Sequence, residues 1–356
     1  RGYLKPRCAS RGAAIAFLLC ITMVSVAVLW FAVAVGATSG IDAGPKDRAF
    51  IKATVPCPWR ADFTFDEETF KQALAGIVSN LTQHVYLFGT AGEGYAVSDK
   101  QFLDISAIFA NEMKLHVGSL NTASLSIISM SLPTVQARIE AASALGFKTF
   151  QLSLPSWQEL TDGEVFSFFE DTAGRFPSVN FWHYNNPHAK KTLNASHYAR
   201  LSRAFPNLVG VKTCNNDLKW LESVSQAAPR LRLFPNELGF ALGKDAVGAG
   251  LLISTASTNF DRAREFFAAN STERMAMYKG PISAIDECQT SAAGSDLIDG
   301  AYDKQFSRIH VPSFSPRLLP PYTTSTEESF KSFVACVCSA APTWMPDGYC
   351  TTTFVV

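Results

Sequence analysis

Neither sign of charge is in excess: 31 basic residues stand against 31 acidic ones among 356, and the formal net charge is zero. That balance lacks the basic stripe that would hold nucleic acid and the polybasic patch that would make an anionic membrane surface the main partner. Charged residues make up only 17% of the chain and hydrophobic ones 47%, which is ample material for a large core. No CxxC pair occurs, and no histidine lies near the cysteines at Cys336, Cys338 and Cys350 to complete a zinc set. Zinc is therefore disfavoured, and neither a metal nor a cofactor is expected. Those three sulfurs can form a disulfide with one another or with Cys288, or remain thiols. Internal repeats are absent, and low complexity is confined to one apolar stretch near the N-terminus.

That stretch, 13–36, is uncharged and is preceded by Arg1, Lys5, Arg7 and Arg11. Its length suffices to span a bilayer, and the upstream positive charge predicts a cytosolic N-terminus with the remainder translocated. A cleaved signal peptide is the rival, because Val35, Gly36 and Ala37 offer small residues at a cleavage site. The stretch is long for a signal segment, which favours an anchor. Three glycosylation sequons, at Asn80, Asn194 and Asn270, agree weakly with passage through a secretory compartment. If the segment is not native, the chain is cytoplasmic. Residues 1–45 are set apart from the fold on this reading.

From Phe50 onward, short apolar runs alternate with amphipathic stretches. The expected strands are 51–55, 85–88, 115–118, 149–154, 180–184, 208–212, 231–235 and 251–255. Expected helices lie at 67–78, 99–113, 132–145, 163–174, 195–204, 218–226, 240–246 and 261–269. Ser98 and Asn194 sit where helix N-caps belong, and Gly146 and Gly174 where helices should stop. Eight strand–helix units in order predict an α/β fold, a (β/α)8 TIM barrel over 46–270. A doubly wound open sheet is disfavoured, since no glycine-rich nucleotide turn follows the first strand. A C-terminal extension, 271–356, should pack on the barrel, with helices at 282–295 and 323–341 around a proline-rich stretch.

Barrel enzymes carry their chemistry at the C-terminal ends of strands. That rule singles out Thr90 after the second strand, Tyr184 at the end of the fifth and Lys212 at the end of the sixth. Lys212 closes the apolar run Leu208, Val209, Gly210, Val211. An ammonium there is costly to desolvate, so its pKa should fall toward neutrality, and a neutral amine forms a Schiff base with a 2-oxo acid. Taken alone, Lys212 reads as a strand-end lysine with its head in water, Gly89–Gly94 as a tight turn, and Tyr184 as a strand-end aromatic. His183 alternates to the opposite face and should pack on a helix. His84 and His116, which precede or open strands, read as structural, and Cys214 as a small buried filler.

Three segments occur in order at matching strand ends. They are Gly89-Thr90-Ala91-Gly92-Glu93-Gly94, Tyr184-Asn185-Asn186-Pro187 and Gly210-Val211-Lys212. Together they resemble the dihydrodipicolinate synthase and N-acetylneuraminate lyase family of class I aldolases, over about 52–334. The resemblance implies Lys212 as the Schiff-base lysine, Tyr184 as the proton-shuttling tyrosine and Thr90 as its relay. It further implies the amides of Ala91 and Gly92 as the grip on the substrate carboxylate, and Ile253 as a wall of the pyruvate pocket. Glu93 would tie the loop down. A homo-oligomer, a tetramer, follows from resemblance alone.

The departures matter as much. Ala91 replaces the loop's second hydroxyl. Ala189, followed by Lys190 and Lys191, stands where the synthase branch has a carboxylate-binding arginine. The loop after the fourth strand, with Trp157, lacks the synthase branch's partner-subunit tyrosine. Trp157 and Trp182 could line a sugar-stacking pocket or pack in the core. The expectation is a carbon–carbon lyase acting on a 2-oxo acid or sugar acid, with pyruvate as product or donor, and not a dihydrodipicolinate synthase of the usual kind. A Schiff-base hydratase or dehydratase, and a barrel that binds a small oxo acid without turnover, are the alternatives.

Overall fold

The computed structural model describes residues 49–351. The apolar stretch 13–36 lies outside the described residues. Among those described, no helix is long and apolar enough to cross a membrane. Eight parallel strands form a nearly closed barrel in the order β7-β6-β5-β4-β3-β2-β1-β8. They are β1 (Ile51–Thr54), β2 (Val85–Leu87), β3 (Ser124–Ile127), β4 (Thr149–Leu152), β5 (Asn180–Asn185), β6 (Leu208–Thr213), β7 (Arg232–Pro235) and β8 (Leu251–Leu252). The seam between β7 and β8 is bridged by the Gly250 amide, which donates to the Leu233 carbonyl at 2.9 Å.

The outer ring comprises α1 (Glu67–Asn80), α2 (Asp99–Val117), α3 (Leu132–Ala144), α4 (Asp162–Phe169), α5 (Ala195–Ala204), α6 (Leu218–Ala227), α7 (Glu237–Val247) and α8 (Phe260–Ala268). Their starts follow capping chemistry. Ser98 and Gln101 form a reciprocal capping box on α2, and the Asn194 side chain accepts from two amides at the start of α5. Asn194 and Asn270, both sequon asparagines, thus use their side chains as helix caps.

One expected strand is wrong. Residues 115–118 form the last turn of α2 and its cap: His116 lies near Glu112, at 3.5 Å, and Gly118 takes φ 80° to stop the helix. The third strand is instead Ser124–Ile127, whose serines face inward and whose Leu125 and Ile127 pack outward, both fully buried.

Strand alternation divides the apolar side chains into two clusters. Outward residues such as Val85, Phe150, Phe181 and Val211 pack against the helices in one continuous core. Burying each such side chain contributes about 1.5–3 kcal/mol. Tyr86, Trp182, Phe234 and Leu252 point into the barrel and form a second, small cluster. Trp182 fits because its register partner is Gly210, where a Cβ would lie 2.4 Å from the indole. The remaining interior is polar: Lys52, Ser124, Ser126, Gln151 and Lys212 are all buried.

Beyond α8 follow α9 (Ser271–Met277), α10 (Ser283–Ala293), α11 (Asp299–His310) and α12 (Glu327–Ala340). Disulfides Cys288–Cys336 and Cys338–Cys350 tie α10 to α12 and α12 to the segment after it. Sequence periodicity did not reveal α11, which touches α1 and the short helical turn at Thr255–Thr258.

Candidate active site

Tyr184 and Lys212 are register partners on β5 and β6, so their side chains leave the sheet on the same face. Both are buried. The Lys212 amine lies 3.8 Å from the centroid of the Tyr184 ring and donates to the Tyr86 hydroxyl at 3.0 Å. Tyr86, which sequence reasoning passed over, is therefore the group that orients the amine. Its signal was a tyrosine at an inward position of β2, the strand that leads directly into the motif loop.

Burial, then the neighbouring Cys214, raises the Tyr184 pKa well above the usual tyrosine value, so the phenol holds its proton. Its hydroxyl lies 3.6 Å from Cys214 Sγ. Cys214 is an exposed free thiol at the mouth of the barrel, not a buried filler, because the chain leaves the sheet immediately after Thr213. No hydrogen bond joins Tyr184 to Thr90 among the described residues. His183 does pack outward, with Nδ1 2.8 Å from the Tyr198 hydroxyl on α5. His84 stacks on Phe50 at 3.8 Å between ring centroids.

The loop Gly89–Gly94 turns sharply between Phe88 (φ 63°) and Glu93 (φ 54°). A Cβ at Gly92 would stand 2.6 Å from the Phe88 nitrogen, and one at Gly94 2.0 Å from the Phe88 oxygen. Only glycine allows this fold-back. Glu93 ties the loop down as expected. Its fully buried carboxylate accepts from Trp59 Nε1 at 2.8 Å and from the Leu319 amide at 2.6 Å, and pairs with the equally buried Lys304 of α11. Gly300 of α11 comes so close to the loop that a Cβ there would lie 3.1 Å from the Thr90 oxygen.

Above the strand ends is a cavity of about 690 Å³ bordered by Thr90, Tyr184, Asn186 and Ala189 from the barrel and by Leu297 and Tyr322, among others, from the extension. Eight hydroxyl side chains and the Asn186 amide share its wall with seven apolar residues. Asp296 is its one carboxylate, and no lysine or arginine lines it. Lys190 turns away to donate to the Trp157 carbonyl at 2.9 Å, and Lys191 pairs with Asp162 at 2.8 Å. Neither supplies the missing arginine. Trp182 is core; the Trp157 side chain is exposed. Ile253 packs in the outer apolar cluster and borders a separate, small cavity of about 40 Å³, away from Thr90 and Tyr184. Asp303 borders that same small cavity and accepts from the Ser254 hydroxyl at 3.0 Å; burial brings its pKa to about 7. Among the described residues no group of three or more histidine, cysteine or carboxylate side chains is arranged to hold a metal ion.

No curated protein matches the chain. Solved structures of the same fold do. A catalytic-lysine mutant of the Ruminococcus gnavus sialic acid aldolase superposes with TM-score 0.70 at 17% identity, covering 83% of this chain and 98% of that one. A prophage protein of E. coli K12 from the dihydrodipicolinic acid synthase family, in complex with pyruvate, gives 0.69 at 13% identity, covering 80% and 96%. The dihydrodipicolinate synthase of Cyanidioschyzon merolae with lysine bound gives 0.68 at 17%, covering 82% and 98%. The model of the dihydrodipicolinate synthetase family matches residues 48–271, from just before β1 to just past α8, and the chain belongs to that family.

Proposed function

We propose that this protein is a class I lyase that cleaves or forms a carbon–carbon bond in a 2-oxo acid, with pyruvate as product or donor. The observation that carries the reading is the pairing of Lys212 and Tyr184 at neighbouring strand ends, with the amine against the phenol ring. On this reading the Lys212 amine attacks the C2 carbonyl. The carbinolamine loses water with a proton from Tyr184, which burial keeps protonated. The tyrosinate so formed takes the proton of the C4 hydroxyl, the C3–C4 electron pair moves into the iminium to give an enamine, and the other fragment leaves as an aldehyde; protonation at C3 and hydrolysis then release pyruvate. The amides of Ala91 and Gly92 would hold the carboxylate. Of the pair, Tyr184 borders the cavity and Lys212 lies behind it, against the Tyr184 ring; a wall with eight hydroxyl side chains and no arginine supports a polyhydroxylated partner fragment over a second carboxylate.

Borohydride reduction in the presence of pyruvate, followed by peptide mass spectrometry, tests this reading. A reduced adduct on Lys212, absent from Lys212→Met, is expected; an unlabelled wild-type protein would refute it. Non-catalytic binding gains one supporting observation, the engagement of the Tyr184 hydroxyl by Cys214 and not by Thr90. Release of pyruvate and an aldehyde from any of a panel of sugar acids would exclude both that reading and a simple dehydratase. We further propose residence in an oxidising compartment, which the two disulfides support, and a homo-oligomeric assembly, to be measured by light scattering.

A further inference from the structure

The barrel holds a second amine. In the run Ile51-Lys52-Ala53-Thr54, Ile51 and Ala53 pack outward among the helices, and the alternation sends Lys52 inward. It is 3% exposed. Its amine donates to Ser124 Oγ at 3.0 Å and lies 4.8 Å from the Trp182 ring and 5.5 Å from the Tyr86 ring. Tyr86 is the same residue whose hydroxyl accepts from Lys212. The two amines thus flank one tyrosine.

No carboxylate pairs with Lys52 among the described residues. The groups facing it are Tyr86 of β2, Lys212 of β6 and, toward the other end of the barrel, His84 and Arg232. Burial, followed by the charges of Lys52 and Arg232, holds His84 down at about 4, so it is neutral near pH 7 and offers no counter-charge. Burial, then the charge of Lys212, brings Lys52 itself down to about 7. An unpaired buried ammonium is among the least favourable occupants of a strand interior, where an aliphatic side chain would fill the space without that cost.

We propose that Lys52 is a positioning residue for imine formation at Lys212: protonated, it opposes the positive iminium on the far side of Tyr86, and neutral, it admits it. The proposal rests on the Schiff-base reading of Lys212. Pyruvate binding as an imine should then strengthen as the pH rises through the ionisation of Lys52. Lys52→Met removes the opposing charge at all pH values, whereas Lys52→Arg makes it permanent.

The test is borohydride trapping of pyruvate by the full chain between about pH 5.5 and 9, with the Lys212 adduct quantified for wild type and both variants. Wild-type labelling should climb several-fold through pH 7. Lys52→Met should lose that step and label more strongly than wild type at pH 6. Lys52→Arg should stay several-fold below wild type at pH 8. Superimposable profiles for wild type and Lys52→Met would overturn the gating role while leaving the Schiff base intact. A wild-type protein unlabelled at every pH would instead remove the Schiff base, and the gating with it.

A second readout needs no imine. Thermal melts of the unliganded proteins should show wild-type stability rising between about pH 7 and 10, because the unfolded chain still binds the proton that folded Lys52 has released. Lys52→Met should flatten that rise, and an unchanged slope would overturn the assignment of Lys52 as a group titrating near neutrality.

Discussion

The barrel and the C-terminal helices are held in different ways. Each barrel strand lies hydrogen-bonded beside a neighbour, and each helix covers an apolar face, so stability is spread over many alike contacts. The extension joins the same apolar core through Ile285, Phe306, Phe333 and Val337, but adds a few pinned points: two disulfides within it, and a buried carboxylate–amine pair between Glu93 and Lys304 that joins positions 211 apart in sequence. Losing a single cap in the barrel removes one contact among many alike, whereas losing one partner of the Glu93–Lys304 pair leaves a buried charge alone.

The sharpest way to break that contrast is Lys304→Met. It strands the Glu93 carboxylate in a fully buried site and should cost about 3–5 kcal/mol by urea denaturation. The double variant Glu93→Gln with Lys304→Met should recover much of the loss, since what is costly is the orphaned charge. Reduction of both disulfides comes next, with an expected cost of about 2–4 kcal/mol each, read as a lowered melting midpoint in dithiothreitol. In the barrel, Ser98→Ala removes one cap of α2 and should cost only about 1 kcal/mol.

A pH titration of stability compares the two regions by the sign of the slope. Burial holds Asp303 of α11 up at about 7, so the folded protein keeps a proton that the unfolded chain releases near its ordinary value of 3.8. That contribution is complete below about pH 4 and is lost as the pH rises toward 7, the reverse of the alkaline gain expected from Lys52 in β1. Asp303→Asn should flatten the acidic limb and leave the alkaline one unchanged.

How much could be read without coordinates follows the same division. Strand ends with period-2 alternation placed Lys212 and Tyr184 on their strands, because both are local properties of β5 and β6. The third strand was misplaced because Leu115, His116 and Val117 mimic a short apolar strand, while Ser124-Leu125-Ser126-Ile127, with serines lining the interior, looks too polar for one. Asp299–His310 escaped notice since its buried face includes Gly300, Lys304 and Gln305, polar or small residues that only long-range partners explain. Tyr86 and Lys52 were legible as inward positions. Nothing local said that they meet around Lys212. The solvent-side position of Cys214 likewise depended on where the chain leaves β6.

Glu93 has a consequence for anyone cutting this chain. A fragment ending at residue 271 would keep all eight strands and everything that marks the family. Its motif loop, however, would lose the Lys304 amine and the Leu319 amide, and of the three donors to that carboxylate only the Trp59 indole would stay. Family membership and a self-supporting loop thus have different minimum lengths, and the second is longer.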